Sequence, residues 1–176
     1  MHSSFLDFAT ISVGLLLARL VVGLLMAAHG SQKLFGWFGG PGLAGTGMFF
    51  EALGFRPGRF FAMMASVTEF VSGILVALGF LGPIGPALML SVMIVAAVSV
   101  HWKNGLFAQS NGIELALFYG TVAVAFALTG YGDYSLDAAL GLQSLYTPTL
   151  AIVALAIGVF GGVAMLLLRR RPAVAA

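Results

Sequence analysis

The chain has no cysteine among its 176 residues. Disulfides, thiolate metal sites, cysteine-ligated iron–sulfur clusters and dithiol redox chemistry are therefore excluded for this chain. Any redox role must rely on a diffusible cofactor or on one bound by a partner. Charge is scarce as well. Asp, Glu, Lys and Arg make up 8% of the residues, whereas an ordinary soluble domain has about 25%.

Long apolar runs take the place of the missing charge. Hydrophobic residues make up 60% of the chain, and the mean hydropathy is +1.06. Runs of this length predict an all-α integral membrane protein whose helices pack into one bundle. The net charge of +2 comes from basic residues between the runs and at the C-terminus. That distribution is typical of membrane orientation, so it indicates a lipid membrane and not nucleic acid as the partner.

Apolar length and helix breakers predict five transmembrane helices. Their predicted ranges are 11–31, 59–81, 84–102, 111–130 and 147–168. The segment before the first helix, residues 1–7, lacks the basic region of a signal peptide, so we expect the first helix to be retained.

Basic residues predict the orientation of these helices. The seven Lys and Arg residues outside the interiors of the five predicted spans all fall on one side: Lys33, Arg56, Arg59, Lys103, Arg169, Arg170 and Arg171. The other side receives only Asp7, Asp133 and Asp137. The pattern predicts an N-terminus outside and a cytoplasmic C-terminus.

Three local patterns outside the helix interiors carry structural predictions. Residues 48–53 form either a short interfacial helix or part of a plain loop on the membrane. Ser135 is expected to cap a short helix that runs through Leu142. The small-residue spacing of Gly158 and Gly162 seats the last helix on the bundle or makes a dimer contact.

Arg19 and Glu69 are ionisable residues inside predicted membrane helices, where an unpaired charge is costly. Arg19 lies ten positions before His29, and Glu69 lies ten positions after Arg59. Each is then about 15 Å from the cytoplasmic border at roughly 1.5 Å per residue. Matching depth predicts an Arg19–Glu69 pair between the first two helices. The pair is a functional polar wall or proton site, or an inert ion pair; alternatively, a protonated Glu69 bonds a carbonyl.

A second polar group lies at the cytoplasmic helix ends and consists of His29, Lys33, His101 and Glu114. The spacing of its members fits no local metal motif, so no metal site is predicted. His29, Lys33 and His101 are candidate donors to an anion or a quinone headgroup. The alternative is interfacial anchoring by the basic residues, with Glu114 favoured by a helix dipole.

The order of these residues resembles a known family, the DoxX family of bacterial inner-membrane proteins. The motifs that carry the resemblance are Arg19 in the first helix, His29-Gly30-x2-Lys33-Leu34-Phe35-Gly36, Phe50-x2-Leu53-Gly54, Glu69-x3-Gly73, His101 with Gly105-Leu106-Phe107, Gly112-x-Glu114, and Gly130-x4-Ser135-Leu136-Asp137. They cover residues 11–142. The resemblance implies a four-helix bundle over residues 1–146. A fifth transmembrane helix with a basic cytoplasmic tail then occupies residues 147–176.

The resemblance also implies a redox association. DoxD-like relatives are subunits of a thiosulfate:quinone oxidoreductase, and a mycobacterial member is linked to a complex with superoxide dismutase and a sulfurtransferase. We therefore expect a small membrane subunit of a redox or detoxification system that binds a quinone or a small anion near the cytoplasmic leaflet. As an enzyme it would be a quinone-linked oxidoreductase subunit. The expected ligand-binding residues are Arg19, His29, Lys33, Glu69, His101 and Glu114.

Two other functions fit the same residues. One is a scaffold without chemistry that recruits soluble redox enzymes at the cytoplasmic face through the loop 32–58. The other is a small-molecule transporter, for which five short helices leave little room unless the protein forms a homo-oligomer. No covalent cofactor is expected in any of these cases.

Overall fold

The computed structural model describes residues 8–170, which form helices and turns and contain no strand. The helices are α1 Phe8–Phe35, α2 Gly42–Ala52, α3 Gly58–Leu78, α4 Ile84–Ala96, α5 Glu114–Thr129, α6 Leu136–Ala139 and α7 Pro148–Leu167. After Ala96, α4 continues through a π turn, Ala97–His101, and a 3-10 turn, Trp102–Asn104. The predicted all-α fold is confirmed.

Four helical segments are long and apolar enough to cross a membrane: Phe8–Phe35, Gly58–Leu78, Ile84–Asn104 and Pro148–Leu167. The predicted fourth helix, 111–130, is α5 in the structure, and it has only 16 residues. It begins later than predicted because Asn111 adopts a left-handed conformation, with φ 61°. α5 nevertheless runs between the same two ends of the bundle as its neighbours.

The helix boundaries follow local chemistry. α3 ends at Gly79, whose φ of 65° suits glycine and terminates a helix. Thr147 caps α7 by accepting a hydrogen bond from the backbone N–H of Leu150 at 3.2 Å. Ser135 caps α6 in the same way, as predicted, through the N–H of Ala138 at 3.1 Å. The α6 helix is shorter than expected, because it ends at Ala139.

Close backbone contact fixes the register between α1 and α3. A Cβ at Gly23 would lie 2.5 Å from the backbone nitrogen of Ala77 and 2.6 Å from the carbonyl oxygen of Gly73. A Cβ at Gly30 would lie 2.5 Å from the backbone nitrogen of Phe70. No side chain fits at these crossing points, so glycine allows the two backbones to touch. The register follows from the positions of these glycines along each helix.

The last helix packs on α4 in the same bundle. A Cβ at Gly158 would lie 2.5 Å from the carbonyl oxygen of Ala87, and one at Gly162 would lie 2.8 Å from that of Ser91. Of the two uses predicted for this small-residue spacing, seating on the bundle is the one observed. A dimer contact through the same face is excluded, because α4 already covers it.

The two ends of the bundle differ in charge. The basic end holds Lys33, Arg56, Arg59, Lys103, Arg169 and Arg170. At this end, the Arg170 N–H after α7 donates a hydrogen bond to the Gly54 carbonyl between α2 and α3 at 2.9 Å. The acidic end holds Asp133 and Asp137 and the start of α1. The predicted separation of charge is therefore present in the described chain, while Asp7 and Arg171 lie outside residues 8–170.

The segment between α1 and α3 is mostly helical. α1 continues to Phe35, beyond the predicted end at residue 31, and α2 covers residues well before the predicted start at Met48. α2 packs on the start of α3, where a Cβ at Gly47 would lie 3.1 Å from the Cα of Arg59. The helical alternative for residues 48–53 is therefore correct, in a longer form.

Candidate functional site

A partly buried ion pair lies near the basic end. The Lys33 ammonium, on the last turns of α1, donates to Oε1 of Glu69, in the middle of α3. The Glu69 side chain is 2% exposed, whereas the Lys33 side chain is 33% exposed. Within residues 8–170, the other carboxylate oxygen of Glu69, Oε2, is buried and has no hydrogen-bond partner. A buried polar atom without a partner is costly in a protein interior.

This pair lies in the wall of a cavity of about 270 Å³ between α1, α3, α4 and α5. We call it the head cavity. Its lining residues are Met26, His29, Lys33, Glu69, Met93, Ala96, His101, Ala108, Asn111, Gly112, Leu115, Ala116 and Tyr119. Four of the six predicted site residues are thus brought together: His29, Lys33, Glu69 and His101. Most of the remaining lining is apolar.

The histidines reach the head cavity in different ways. His29 contacts the Tyr119 ring edge-on, with the ring centroids 6.1 Å apart. The Nδ1 atom of His101 lies 2.8 Å from the carbonyl oxygen of Asn111. Because a carbonyl only accepts, Nδ1 must carry the proton and donate. In the neutral ring, Nε2 of His101 is then a hydrogen-bond acceptor.

A second cavity, of about 460 Å³, lies between α2, α3 and α4. It shares Lys33, Glu69, Ala96 and His101 with the head cavity. The ion pair and His101 therefore stand at the boundary between the two cavities. Beyond them, the second cavity is lined mainly by Phe, Leu, Val and Ala side chains. A polar centre with apolar space on both sides is typical of small-molecule sites.

The predicted Arg19–Glu69 pair is wrong. Arg19 is 3% exposed, and its guanidinium donates to two carbonyl oxygens near the acidic end, those of Ala77 at 2.5 Å and of Tyr134. The depth estimate failed because α1 continues past His29 and because the glycine contacts set the register. Arg19 is level with the end of α3, whereas Glu69 is level with the last turns of α1. The residue stabilises the fold away from both cavities.

Glu114 does not line the head cavity either. Its carboxylate accepts a hydrogen bond from the backbone N–H of Ala108 at 2.7 Å. The Glu114 backbone N–H in turn donates to the carbonyl oxygen of Leu106 at 2.8 Å. These bonds hold the loop that precedes α5, and that loop contributes Ala108 and Asn111 to the cavity wall. Glu114 is therefore a residue that supports the cavity wall without facing the cavity.

Sequence reasoning missed Tyr119, and it named Asp137 without predicting its burial. Tyr119 is 6% exposed and lines the head cavity, but its position in an apolar helix gave no signal apart from the hydroxyl. Asp137 is fully buried at the acidic end, where it accepts from the N–H groups of Leu81 and Gly82 and from the Tyr146 hydroxyl, at 2.9, 2.7 and 2.6 Å. Burial and the hydrogen bond to Asp137 raise the pKa of Tyr146, which keeps this hydroxyl a donor.

The chemistry of the head cavity follows from these contacts. Lys33 and Glu69 compensate each other, so the pair adds no net charge. Unused hydrogen-bonding capacity remains at Lys33, which has three N–H groups, and at Oε2 of Glu69. Within residues 8–170, no group of three His, Asp or Glu side chains is arranged to hold a metal ion. The site is suited to a neutral ligand that both accepts and donates hydrogen bonds.

Residues 14–102 match the DoxX family. The chain belongs to the DoxX family. The match runs from α1 to Trp102, in the 3-10 turn that follows α4, so it contains His29, Lys33, Glu69 and His101, while α5, α6 and α7 lie beyond it. It is shorter than the range 11–142 over which the motifs show the resemblance. No curated protein and no solved structure matches this DoxX protein.

Proposed function

We propose that this DoxX protein is a small membrane subunit of a redox or detoxification system, and that it binds a quinone headgroup in the head cavity. One observation carries the proposal: the Glu69 carboxylate, which lines a cavity that is otherwise largely apolar, has a buried oxygen without a hydrogen-bond partner in residues 8–170. A polar headgroup bound there would supply the missing hydrogen bond.

Charge favours a neutral headgroup over a small anion, the other ligand expected from the sequence. The ammonium of Lys33 is already paired with Glu69. An anion such as thiosulfate would therefore meet a carboxylate directly beside its attracting cation. Burial makes that repulsion more costly, because the local dielectric is low. A quinone head is neutral and planar, and its oxygens match the hydrogen-bonding groups that remain.

Side chains of the head cavity can form hydrogen bonds with both the oxidised and the reduced form of such a ligand. A bound quinone supplies electron and proton transfer. Lys33 has N–H groups left to donate to a carbonyl oxygen of the oxidised head. Glu69 Oε2 and His101 Nε2 are acceptors, so they suit the hydroxyl groups of the reduced head and its protons. Met26, Met93 and Leu115 exclude water from the ring faces.

Binding is tested with decylubiquinone and a menaquinone analogue. Glu69→Gln removes the negative charge of the carboxylate that would accept a hydrogen bond from the ligand, and it retains the shape of the side chain. Since a hydrogen bond to a charged group contributes about 1.5–3 kcal/mol, affinity should fall about tenfold or more. Lys33→Met should weaken binding as well. The measurement is ligand-induced thermal stabilisation of the purified protein.

The matched control is Lys103→Met, which removes an exposed basic residue at the same end that lines neither cavity. It should retain the affinity of the wild type. Absence of stabilisation of the wild type by either quinone would refute the proposed function. Equal losses in Lys33→Met and Lys103→Met would show that general basic charge is responsible.

The proposal includes a bacterial inner-membrane location with the basic end in the cytoplasm, as the positive-inside rule indicates. Because the chain has no cysteine, one introduced cysteine gives an unambiguous label. Lys103→Cys should be protected from a membrane-impermeant maleimide in intact cells, and Tyr134→Cys, at the acidic end, should react. The reverse pattern would overturn this orientation.

Exposed aromatic residues favour a second candidate, recruitment of a soluble redox enzyme at the basic end. Trp37 and Phe38, in the turn between α1 and α2, are 56% and 72% exposed. Aromatic side chains of this kind are common anchors in protein interfaces. If the protein is a scaffold, replacing both with Ala should remove a co-purifying partner and leave quinone binding unchanged. Retention of every partner would exclude this role.

A further inference from the structure

We propose that the second cavity, between α2, α3 and α4, is a channel for the single isoprenoid or alkyl chain of the ligand whose head binds at Lys33 and Glu69. This inference rests on the proposed function and specifies the ligand class as a one-chain amphiphile with a neutral head. We call the cavity the chain channel.

Adjacency to the head cavity is the first argument. The two spaces share Lys33, Glu69 and His101 in their walls, so a ligand whose head contacts the ion pair has the chain channel on the α2 side of the same residues. Phe49 lines the channel and is 48% exposed. The channel therefore also reaches the surface beside α2, where a lipid-soluble molecule can enter.

The lining of the chain channel changes from polar to apolar away from the ion pair. Phe50, Leu53, Val92 and Val95 form much of it. Two hydroxyl groups in the lining are already satisfied by their own helices: Ser99 donates to Val95 O at 2.5 Å, and Thr46 donates to Gly42 O at 2.8 Å. Neither needs a ligand partner, so a hydrocarbon chain can lie against these two hydroxyl groups without leaving them unpaired. The Gln32 amide, also in the lining, donates to the carbonyl oxygen of Phe38 at 3.5 Å.

A third cavity, of about 130 Å³, extends the route. It shares Phe50, Ala65, Val92 and Val95 with the chain channel and continues to Gly161 and Met165 on α7. Its far wall includes Phe55, which is 1% exposed and packs between Phe50 and Phe61 with ring centroids 5.6 Å apart on each side. The apolar path thus runs from Glu69 between α3 and α4 towards the C-terminal helix.

Electrostatics distinguish this occupant from a membrane phospholipid. The phosphate of a phospholipid would have to lie at the polar boundary, beside the carboxylate of Glu69 and a lysine that is already paired. A neutral head avoids that repulsion. The volume of the chain channel, about 460 Å³, falls within the range of small-molecule pockets.

The test separates head binding from chain binding. A photoreactive azidoquinone labels the protein in nanodiscs, and either ubiquinone-0, which has no chain, or decylubiquinone displaces it. The blocking variants are Ala65→Phe and Val95→Phe, which fill the chain channel and the third cavity without lining the head cavity. The control is Val67→Phe, on the same helix as Ala65 but 43% exposed and outside these cavities.

We expect the ratio of decylubiquinone to ubiquinone-0 affinity to fall by about tenfold or more in both blocking variants, since several buried methylenes lose their site. The ratio should be unchanged in Val67→Phe. Partition into the nanodisc lipid is common to all variants, so it cancels in this comparison. Ubiquinone-0 itself should displace the label equally well in all four proteins.

Three results would overturn the inference. If the ratio is the same in every protein, the chain lies elsewhere, although the proposed head site stands. If both blocking variants lose ubiquinone-0 as well, the channel belongs to the head site. If neither quinone displaces the label from the wild type, the proposed function fails together with this inference.

Discussion

The ion pair between Lys33 and Glu69 leads to a quantitative prediction: removing one partner should destabilise the protein more than removing the other. Lys33 and Glu69 are in contact, but Glu69 is 2% exposed and Lys33 is 33% exposed. Removing Lys33 therefore leaves a buried carboxylate, whereas removing Glu69 leaves an ammonium that is partly exposed. We consider Lys33→Met, Glu69→Gln and the double variant, measured as changes in the free energy of unfolding.

The magnitudes follow from burial. Opposite unit charges about 3 Å apart attract by roughly 5 kcal/mol at an effective dielectric constant of about 20. Desolvation and the water around Lys33 offset much of this attraction, so we expect a coupling energy of about 2 kcal/mol. Lys33→Met should cost about 3 kcal/mol, because it leaves the Glu69 carboxylate buried and unpaired. Glu69→Gln should cost only about 1 kcal/mol, because the freed ammonium still reaches water.

A suitable assay is reversible unfolding in mixed micelles of detergent and SDS, followed by circular dichroism. The double variant should cost about 2 kcal/mol, less than Lys33→Met alone, because no unpaired charge remains. Lys103→Met serves as the control and should change stability by less than about 0.5 kcal/mol. Unfolding must be reversible at the same protein concentration in every variant.

Two outcomes would refute this reasoning. A coupling energy near zero would mean that the two charges do not interact in the folded protein. Equal costs for the two single substitutions would mean that the difference in burial between Glu69 and Lys33 is not present in the membrane protein.

Three further predictions concern parts of the fold outside the head cavity. Arg19→Met should lower the free energy of unfolding by about 2–4 kcal/mol, since two carbonyl groups lose charged donors. Its quinone affinity should stay within twofold of the wild type. A larger loss of affinity would mean that Arg19 belongs to the binding site. Gly73→Ala should lower the free energy of unfolding by about 3 kcal/mol or more, because its Cβ would lie 2.6 Å from the Gly23 carbonyl oxygen. Gly14→Ala, with open space around it, should be neutral. Equal thermal stability of the two variants would contradict the observed register. Tyr146→Phe should cost about 1–2 kcal/mol by removing the 2.6 Å bond to the buried Asp137, and an unchanged unfolding midpoint would show that this bond contributes nothing.

Much of the architecture could be read from local sequence. Apolar runs predict membrane helices because every backbone polar group must be satisfied inside the segment, and α1, α3 and α7 appear close to their expected ranges. Turn chemistry is local as well, which is why the Ser135 cap was predictable. Sequence also drew attention to Lys33, His29, His101 and Glu69, since polar groups are rare in such helices.

The pairing of those polar groups could not be read in the same way. Which residue of α1 faces which residue of α3 depends on where the helices touch, and the contacts at Gly23, Gly30 and Gly73 set that register. Arg19 and Glu69 looked level only because depth was measured from assumed helix ends. Tyr119 joins the site through the packing of α5, a property of the whole bundle.

Local sequence is enough to identify an all-α membrane protein of the DoxX type, with its basic residues gathered at one end. These properties depend on composition and on spacing along one chain. Helix packing, by contrast, makes Lys33, and not Arg19, the partner of Glu69. Packing also places this pair between two cavities. A partner in another helix depends on register, and register is fixed by the close approach of backbones distant in sequence.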